Sequence, residues 1–344
     1  ALLTGSTKKK QDLYAALERG DIDVIVGTHA LIQDKVVFHQ LGLIVVDEQH
    51  RFGVEQRAKL QRKGDHPHVL IMTATPIPRT MTLSIYGDLE VSLIKEMPPG
   101  RKPVKTYAVD SSYKERLLHF FEKEMQAGRQ VYAVCPLVEE SEKMDLQAAE
   151  QIYYEYKEYF EPHYRVGLVH GRMRPKEKEE IMDAFYRKEL HLLVSTTVIE
   201  VGVNVPNATL MCIHNAERFG LSQLHQLRGR VGRGSAQAYC ILISDSKNPD
   251  SKTRLSLMEQ TQDGFELAEQ DLLIRGTGEL FGLAQSGLPD LKVANIIKDI
   301  PILVEAREDV KAYLHSHGFD AVQSTLRHQM EARFGPQYMR ILYS

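Results

Sequence analysis

Cysteine is scarce in this chain of 344 residues, which has only Cys135, Cys212 and Cys240. Each lies inside an apolar run. An odd number without paired spacing excludes a disulfide framework and a thiolate zinc site. The reading is of buried thiols in a reducing compartment. Long apolar runs are missing too. None approaches the ~18 residues that span a bilayer, and no charged-then-apolar leader opens the chain. The expectation is a soluble, unexported, cytoplasmic protein with no membrane partner. Net charge is nearly absent: 43 Lys and Arg against 46 Asp and Glu leave −3. That sum singles out no partner, but the distribution is uneven. Residues 139–161 carry eight acids against Lys143 and Lys157, whereas residues 214–234 carry Arg218, Arg228, Arg230 and Arg233 against Glu217 alone. A local anion-binding patch is compatible with a near-neutral whole. The fourteen histidines are scattered, and none forms a helical pair with a carboxylate that would suggest a metal.

What is present is a repeated alternation. Short runs rich in Val, Ile and Leu occur at 24–27, 43–46, 69–72, 131–134, 165–169, 191–194, 210–213 and 239–243. Their apolar residues are consecutive rather than alternate, as in strands covered on both faces of a parallel sheet. Amphipathic stretches such as 113–127 and 176–188 lie between them. The pattern predicts a doubly wound α/β fold. The stretch MPPGRKP at 97–103 can continue neither a helix nor a central strand, so it reads as a linker. The expected organisation is a first lobe at 1–97, a linker at 98–104, a second lobe at 105–246 and a helical C-terminal region at 247–344. The first lobe has three clear runs, with possible short ones at 1–4 and 91–94. The second has five. The aromatic stretch IYYEYKEYF at 152–160 reads as a helix with one packed and one solvated face.

Four segments carry chemistry. LIVVDEQH at 43–50 ends a strand in two carboxylates, where parallel sheets bind ligands. Asp47 is placed to hold Mg²⁺ and Glu48 to orient or deprotonate a water. TATPIPRT at 73–80 puts hydroxyls, Thr73 and Thr75 among them, at another strand end. STTVIEVGVNV at 195–205 offers hydroxyls, then Gly202 and Asn204, to phosphate and ribose. SQLHQLRGRVGRG at 222–234 holds Arg228, Arg230 and Arg233. On a helix the last two share a face, and guanidinium forks match phosphate oxygens.

In order, the chain reads GTHAL, DEQH, TATPIPRT, VHGRM, STTVIEVGVNV and QLHQLRGRVGRG. This resembles the ordered motifs of superfamily 2 helicases and translocases, which have two RecA-like lobes. The resemblance implies ATP and Mg²⁺ as cofactors, bound between lobes whose opening and closing drive movement along nucleic acid. It puts Asp47 and Glu48 on Mg²⁺, with Glu48 also positioning water. His50 and Gln226 would link the γ-phosphate to the lobe interface, and Arg230 and Arg233 would be the sensing and finger arginines. Thr28, His29, His170, Gly171, Thr196 and Thr197 would face the nucleic-acid backbone. The segments at 86–106 and 263–296 resemble the RecG family of bacterial branched-DNA translocases. The second is similar to that family's helical-hairpin translocation motif, with Arg275 and Gln285 on its positions. The implied partner is branched double-stranded DNA, and the implied work is fork regression and Holliday junction migration in recombination and repair, in a bacterial, nucleoid-associated setting.

The 344 residues contain no G-x-x-x-x-G-K-[ST], and TGSTKKK at 4–10 has the wrong spacing. The expectation is therefore the C-terminal helicase part of a longer protein, lacking the phosphate loop, its strand and the wedge domain. Such a part is expected to bind ATP poorly and to be inactive alone. Its incomplete first lobe is expected to be distorted, partly disordered, or completed by another chain through non-native self-association. The transcription-repair coupling factor and a non-catalytic nucleic-acid-binding fragment are the alternatives.

Overall fold

The computed structural model describes residues 1–5, 7–48, 54–73, 91–94, 96–98, 100–136, 142–196, 205–280, 299–318, 328–329 and 332. Contacts divide the chain into two compact units, residues 1–75 with 304–344 and residues 76–303.

In the first unit, Leu2–Leu3 (β1) pairs in parallel with Val26–Gly27 (β2), and Lys10–Arg19 (α1) connects them. Leu3, Leu17, Ala30 and Val36 form its small core. Leu43–Val46 (β3) and His68–Ile71 (β4), joined through Val54–Gln61 (α2), make a separate two-stranded parallel sheet. Burial on both strand faces does not hold here. Ile44 and Val46 are buried, but Leu43, Val45 and Leu70 are 59%, 52% and 51% exposed. Among the described residues, no layer packs on that face of so narrow a sheet. Val91–Ile94 form no strand.

The parallel pairing of β1 with β2 needs Gly27. A Cβ there would sit 2.4 Å from the Leu3 carbonyl oxygen, closer than any real contact. Gly27→Ala is expected to push the pair apart and to destabilise this unit by about 1–3 kcal/mol. Hydrogen exchange at Val26 and Thr28, whose amides bond Ala1 and Leu3 carbonyls, reads the effect directly.

In the second unit six strands form one parallel sheet in the order β5-β10-β9-β6-β8-β7. They are Lys105–Val109 (β5), Gln130–Val134 (β6), Val166–Val169 (β7), Leu192–Ser195 (β8), Ala208–Ile213 (β9) and Tyr239–Ile243 (β10). Here consecutive apolar residues do mean two covered faces. On one face Val131, Ala133, Val194 and Cys212 pack against Lys114–Gln126 (α3) and Glu142–Phe160 (α4). On the other, Tyr132, Leu193, Met211 and Leu242 pack against Pro175–Tyr186 (α5), Leu221–Arg228 (α6), Pro249–Gln260 (α7) and the start of Gly264–Leu280 (α8). The helix Ile300–His317 (α9) crosses the boundary between the two units, most of it belonging to the first. All three cysteines are buried and free. In α4, Tyr156 and Phe160 are buried while Tyr154 and Tyr159 are exposed, which is the two-faced helix expected.

The sixth strand, β5, escaped the sequence reading because it alternates: Thr106 is buried while Lys105 and Tyr107 are exposed. It is an edge strand. Its outward backbone groups and those just before it are covered by side chains rather than by another strand. Glu259 accepts from the Ala108 amide at 2.8 Å, and Gln262 and Gln237 donate to the Val104 and Pro103 carbonyls at 2.8 Å each. Such caps block edge-to-edge pairing.

Candidate functional site

The acid pair follows β3. The Glu48 amide donates to Asp47 Oδ1 at 2.9 Å, which turns the chain sharply, and Glu48 adopts φ 53. Asp47 is exposed and Glu48 half-buried. Val46 pairs with Ile71 and the Met72 amide bonds the Val46 carbonyl at 2.8 Å, so Thr73, two residues past the end of β4, lies at the same sheet edge as the acid pair. Thr28 and His29, both exposed, sit just past β2, where Thr28 opens a short 3-10 turn over His29–Ile32. Lys10, in the TGSTKKK segment, donates to the Gly5 carbonyl at 2.8 Å. His50 and Thr75 lie outside the described residues.

Among the described residues there is no group of three or more His, Cys, Asp or Glu side chains able to hold a metal. Two adjacent carboxylates at a strand end fit Mg²⁺, which takes one or two protein carboxylates and completes its shell with phosphate and water. Asp47 and Glu48 are the residues that would hold it.

In the second unit His170 follows β7 and Thr196 follows β8. The Thr196 amide bonds the Val169 carbonyl at 3.2 Å, so the two residues share one sheet edge. His170 Nδ1 and Thr196 Oγ1 are both buried without a hydrogen-bond partner among the described residues. Orphaned buried polar atoms are uncommon, and these two follow neighbouring strands at one sheet edge. Burial pushes the His170 pKa down, Glu150 raises it, and Lys178 and Arg172 add to the lowering. The exposed Gly171 receives Lys178 on its carbonyl at 2.6 Å. Thr197, Gly202 and Asn204 lie outside the described residues.

The three arginines of the basic run behave differently from one another. Arg228, the last residue of α6, is 2% exposed. Its guanidinium donates to the Met258 carbonyl at 2.8 Å and the Thr261 carbonyl at 2.9 Å, and contacts His225 Nδ1 at 3.0 Å. It bolts α6 to the end of α7 and cannot reach a ligand. Arg230 and Arg233 do not share a helix face, because α6 stops at Arg228. Gly232, at φ 72, reverses the chain between them and is buried against Val104 and Ala238, where a side chain would not fit. Arg233 Nε donates to the Gly229 carbonyl at 3.1 Å. Partial loss of water, then the positive charges of Arg230 and Arg101, push the Arg233 pKa down. Burial pushes the Tyr132 hydroxyl up against the opposing charges of Arg230 and Arg233, which sets both arginines near β6. Gln226 is half-buried on α6, one turn before Arg230. Arg275 lies on α8, and Gln285 lies outside the described residues. Arg101, in the proline-rich stretch, donates through Nε to the Gly232 carbonyl at 3.1 Å, a contact across 131 residues that a motif reading passes over.

Three family models match the chain: DEAD/DEAH box helicase over residues 1–83, helicase conserved C-terminal domain over 112–235, and ATP-dependent DNA helicase RecG, domain 3, C-terminal, over 261–325. The chain is 55% identical over 309 residues to the ATP-dependent DNA helicase RecG of Synechocystis, covering 89% of the chain and 37% of that relative. It is 52% identical over 321 residues to the Bacillus subtilis protein of the same name, covering 93% of the chain and 47% of that relative. The chain belongs to the RecG family. A solved structure of RecG bound to a three-way DNA junction superposes with a TM-score of 0.69 at 44% identity, covering 88% of this chain and 39% of that one. The family's RecA-like parallel sheets and C-terminal helices are those described above, and the match over 261–325 decides against the coupling factor. The chain spans less than half the length of these RecG relatives.

Proposed function

We propose that this chain carries the acid pair, the arginine segment and the helical C-terminal region of an ATP-dependent motor that remodels branched double-stranded DNA, by fork regression and Holliday junction migration, in bacterial recombination and repair. The domain division at 97, 104 and 246 belongs to this reading, as does a cytoplasmic, nucleoid-associated location. Among the described residues, no helix is long and apolar enough to cross a membrane. The observation that carries the proposal is half-identity to RecG helicases across 93% of the chain, a span that includes both Asp47 and Arg233.

The chemistry follows from the side chains. Glu48 orients the attacking water and takes its proton as the bond to the γ-phosphate forms. Asp47 would hold Mg²⁺, which would supply positive charge to offset the negative charge of the phosphates. Arg230 and Arg233 present forks to the oxygens on which charge accumulates, with His50 and Gln226 relaying the γ-phosphate's state. Thr28, His29, His170, Gly171, Thr196 and Thr197 meet the DNA backbone. Thr73, Thr75, Arg275 and Gln285 transmit between the two activities, and Gly202 and Asn204 contact nucleotide. No glycine-rich phosphate loop occurs in these 344 residues, so the chain alone binds ATP weakly. The exposed face of Leu43, Val45 and Leu70 supports self-association of the isolated chain.

The test is ATP turnover by the full-length protein with three-way junction DNA. Glu48→Gln is expected to lower kcat by about 10²-fold or more with nucleotide still bound. Unchanged turnover in that variant, or junction DNA bound by a protein that never hydrolyses ATP, sinks the motor and favours a non-catalytic nucleic-acid binder.

A further inference from the structure

We infer that Arg101 is a third phosphate-binding arginine, joining Arg230 and Arg233 on the condensed phosphates of the nucleotide. The inference rests on the ATP-driven reading above and deepens it.

The argument begins with what holds Arg101. Its amide closes a turn on the Pro98 carbonyl at 3.3 Å. Its side chain reaches across the fold, and Nε donates to the Gly232 carbonyl at 3.1 Å. That carbonyl lies on the backbone between Arg230 and Arg233. One fork nitrogen is thus committed to anchoring, while the two terminal nitrogens have no protein partner among the described residues. The backbone behind it is tethered as well, since Gln237 and Gln262 hold the Pro103 and Val104 carbonyls. A side chain fixed this way loses little freedom when a ligand arrives.

The second observation is charge. Arg101 and Arg233 have no ion-pair partner among the described residues, and the charges of Arg230 and Arg101 both act on Arg233. Like charges gathered in one place repel one another. The fold nevertheless draws them together by a buried glycine and a long-range hydrogen bond. An oxyanion between the forks relieves that repulsion, and guanidinium geometry suits phosphate oxygens better than any other common ligand.

The topology favours nucleotide over DNA as the source of the phosphate. Arg101 leads into β5, and Arg230 and Arg233 lead into β10, with the Lys105 amide bonding the Ala238 carbonyl at 3.0 Å where the two strands begin. His170 and Thr196 follow β7 and β8. In a parallel sheet these are opposite ends of the strands, so Arg101 belongs with the arginines and not with the orphaned atoms at the far edge.

The test uses full-length protein, for turnover and for binding of inorganic tripolyphosphate by calorimetry. Arg101→Gln keeps an amide that can bond the Gly232 carbonyl but removes the charge. It is expected to raise KM for ATP about tenfold and weaken tripolyphosphate binding about as much, with kcat changed less than about threefold. Arg101→Lys is expected to recover part of both. Unchanged KM and tripolyphosphate affinity overturn the inference. So does a lower thermal midpoint with kcat falling and KM fixed, which would make Arg101 a strut. A normal KM with weaker DNA binding and a salt dependence shallower by about one counterion moves the phosphate to DNA and overturns it too. Arg101-dependent tripolyphosphate binding in a protein without ATP turnover would leave the phosphate site standing and remove the motor reading alone.

Discussion

Replacing Glu124 with alanine is expected to lower the unfolding free energy of the second unit by about 3–5 kcal/mol. Glu124 lies on α3 and is 2% exposed. Both of its oxygens are engaged by Arg129, at 2.7 Å each, and Thr209 on β9 donates to one of them at 2.6 Å. The hydrogen bonds to Glu124 raise the Arg129 pKa in spite of partial burial. One carboxylate therefore ties a helix end, the turn before β6 and the neighbouring strand into a single knot. Removing it leaves a half-buried guanidinium and a buried hydroxyl unpaired, and such orphaned groups account for most of the loss. Urea unfolding of Glu124→Ala, Arg129→Met and the double variant reads the coupling. The double variant is expected to lose less than the sum of the two. A loss under about 1 kcal/mol for Glu124→Ala would show that the knot is solvated and idle.

The second large effect is acid lability. Burial pushes the pKa of His214 from its ordinary 6.5 down to about 4, with Glu155 acting against the shift and Lys114 adding to it. Burial, then the charge of Arg228, does the same to His225, where Asp263 acts against it. Both imidazoles are neutral acceptors or donors in the core: His214 Nε2 meets the Tyr156 hydroxyl at 2.8 Å, and His225 Nδ1 faces Arg228. The folded state thus excludes two protons that the unfolded chain takes up between about pH 6.5 and pH 4. Stability is complete above pH 6.5 and falls as acid is added through that window. Each histidine contributes roughly 3 kcal/mol to the fall. Thermal unfolding monitored from pH 7 to pH 4.5 checks the trend. His214→Gln retains an amide for Tyr156 but does not titrate, so it is expected to flatten the profile by about half. An identical profile in that variant would assign the acid sensitivity elsewhere.

Much of this protein was legible before any coordinates. Two-sided apolar runs specified the parallel sheet of the second unit, where helices cover both faces, although the same pattern in β3 leaves Leu43 and Val45 exposed. The carboxylates of Asp47 and Glu48 were placed at a strand end by the run that precedes them, because local sequence determines where a strand stops. Lys105–Val109 was missed for the same reason in reverse: an edge strand needs only one apolar face.

The partners of the charged groups were a different matter. Arg228, Arg230 and Arg233 are equivalent in the sequence, and a helical spacing suggested that the last two lie on one face. Only the packing of α6 against α7 buries Arg228 on carbonyls thirty residues away, and only the reversal at Gly232 brings Arg233 back beside Arg230 and Arg101. Glu124 and Thr209, or Arg101 and Gly232, are separated by 85 and 131 residues. Strand and turn preferences act over a few residues, whereas the meeting of distant polar groups depends on where every intervening element packs. The sequence by itself determined which residue types lie at which strand ends, and the tertiary structure decided which of the charged groups are buried on carbonyls to hold the fold and which stay exposed.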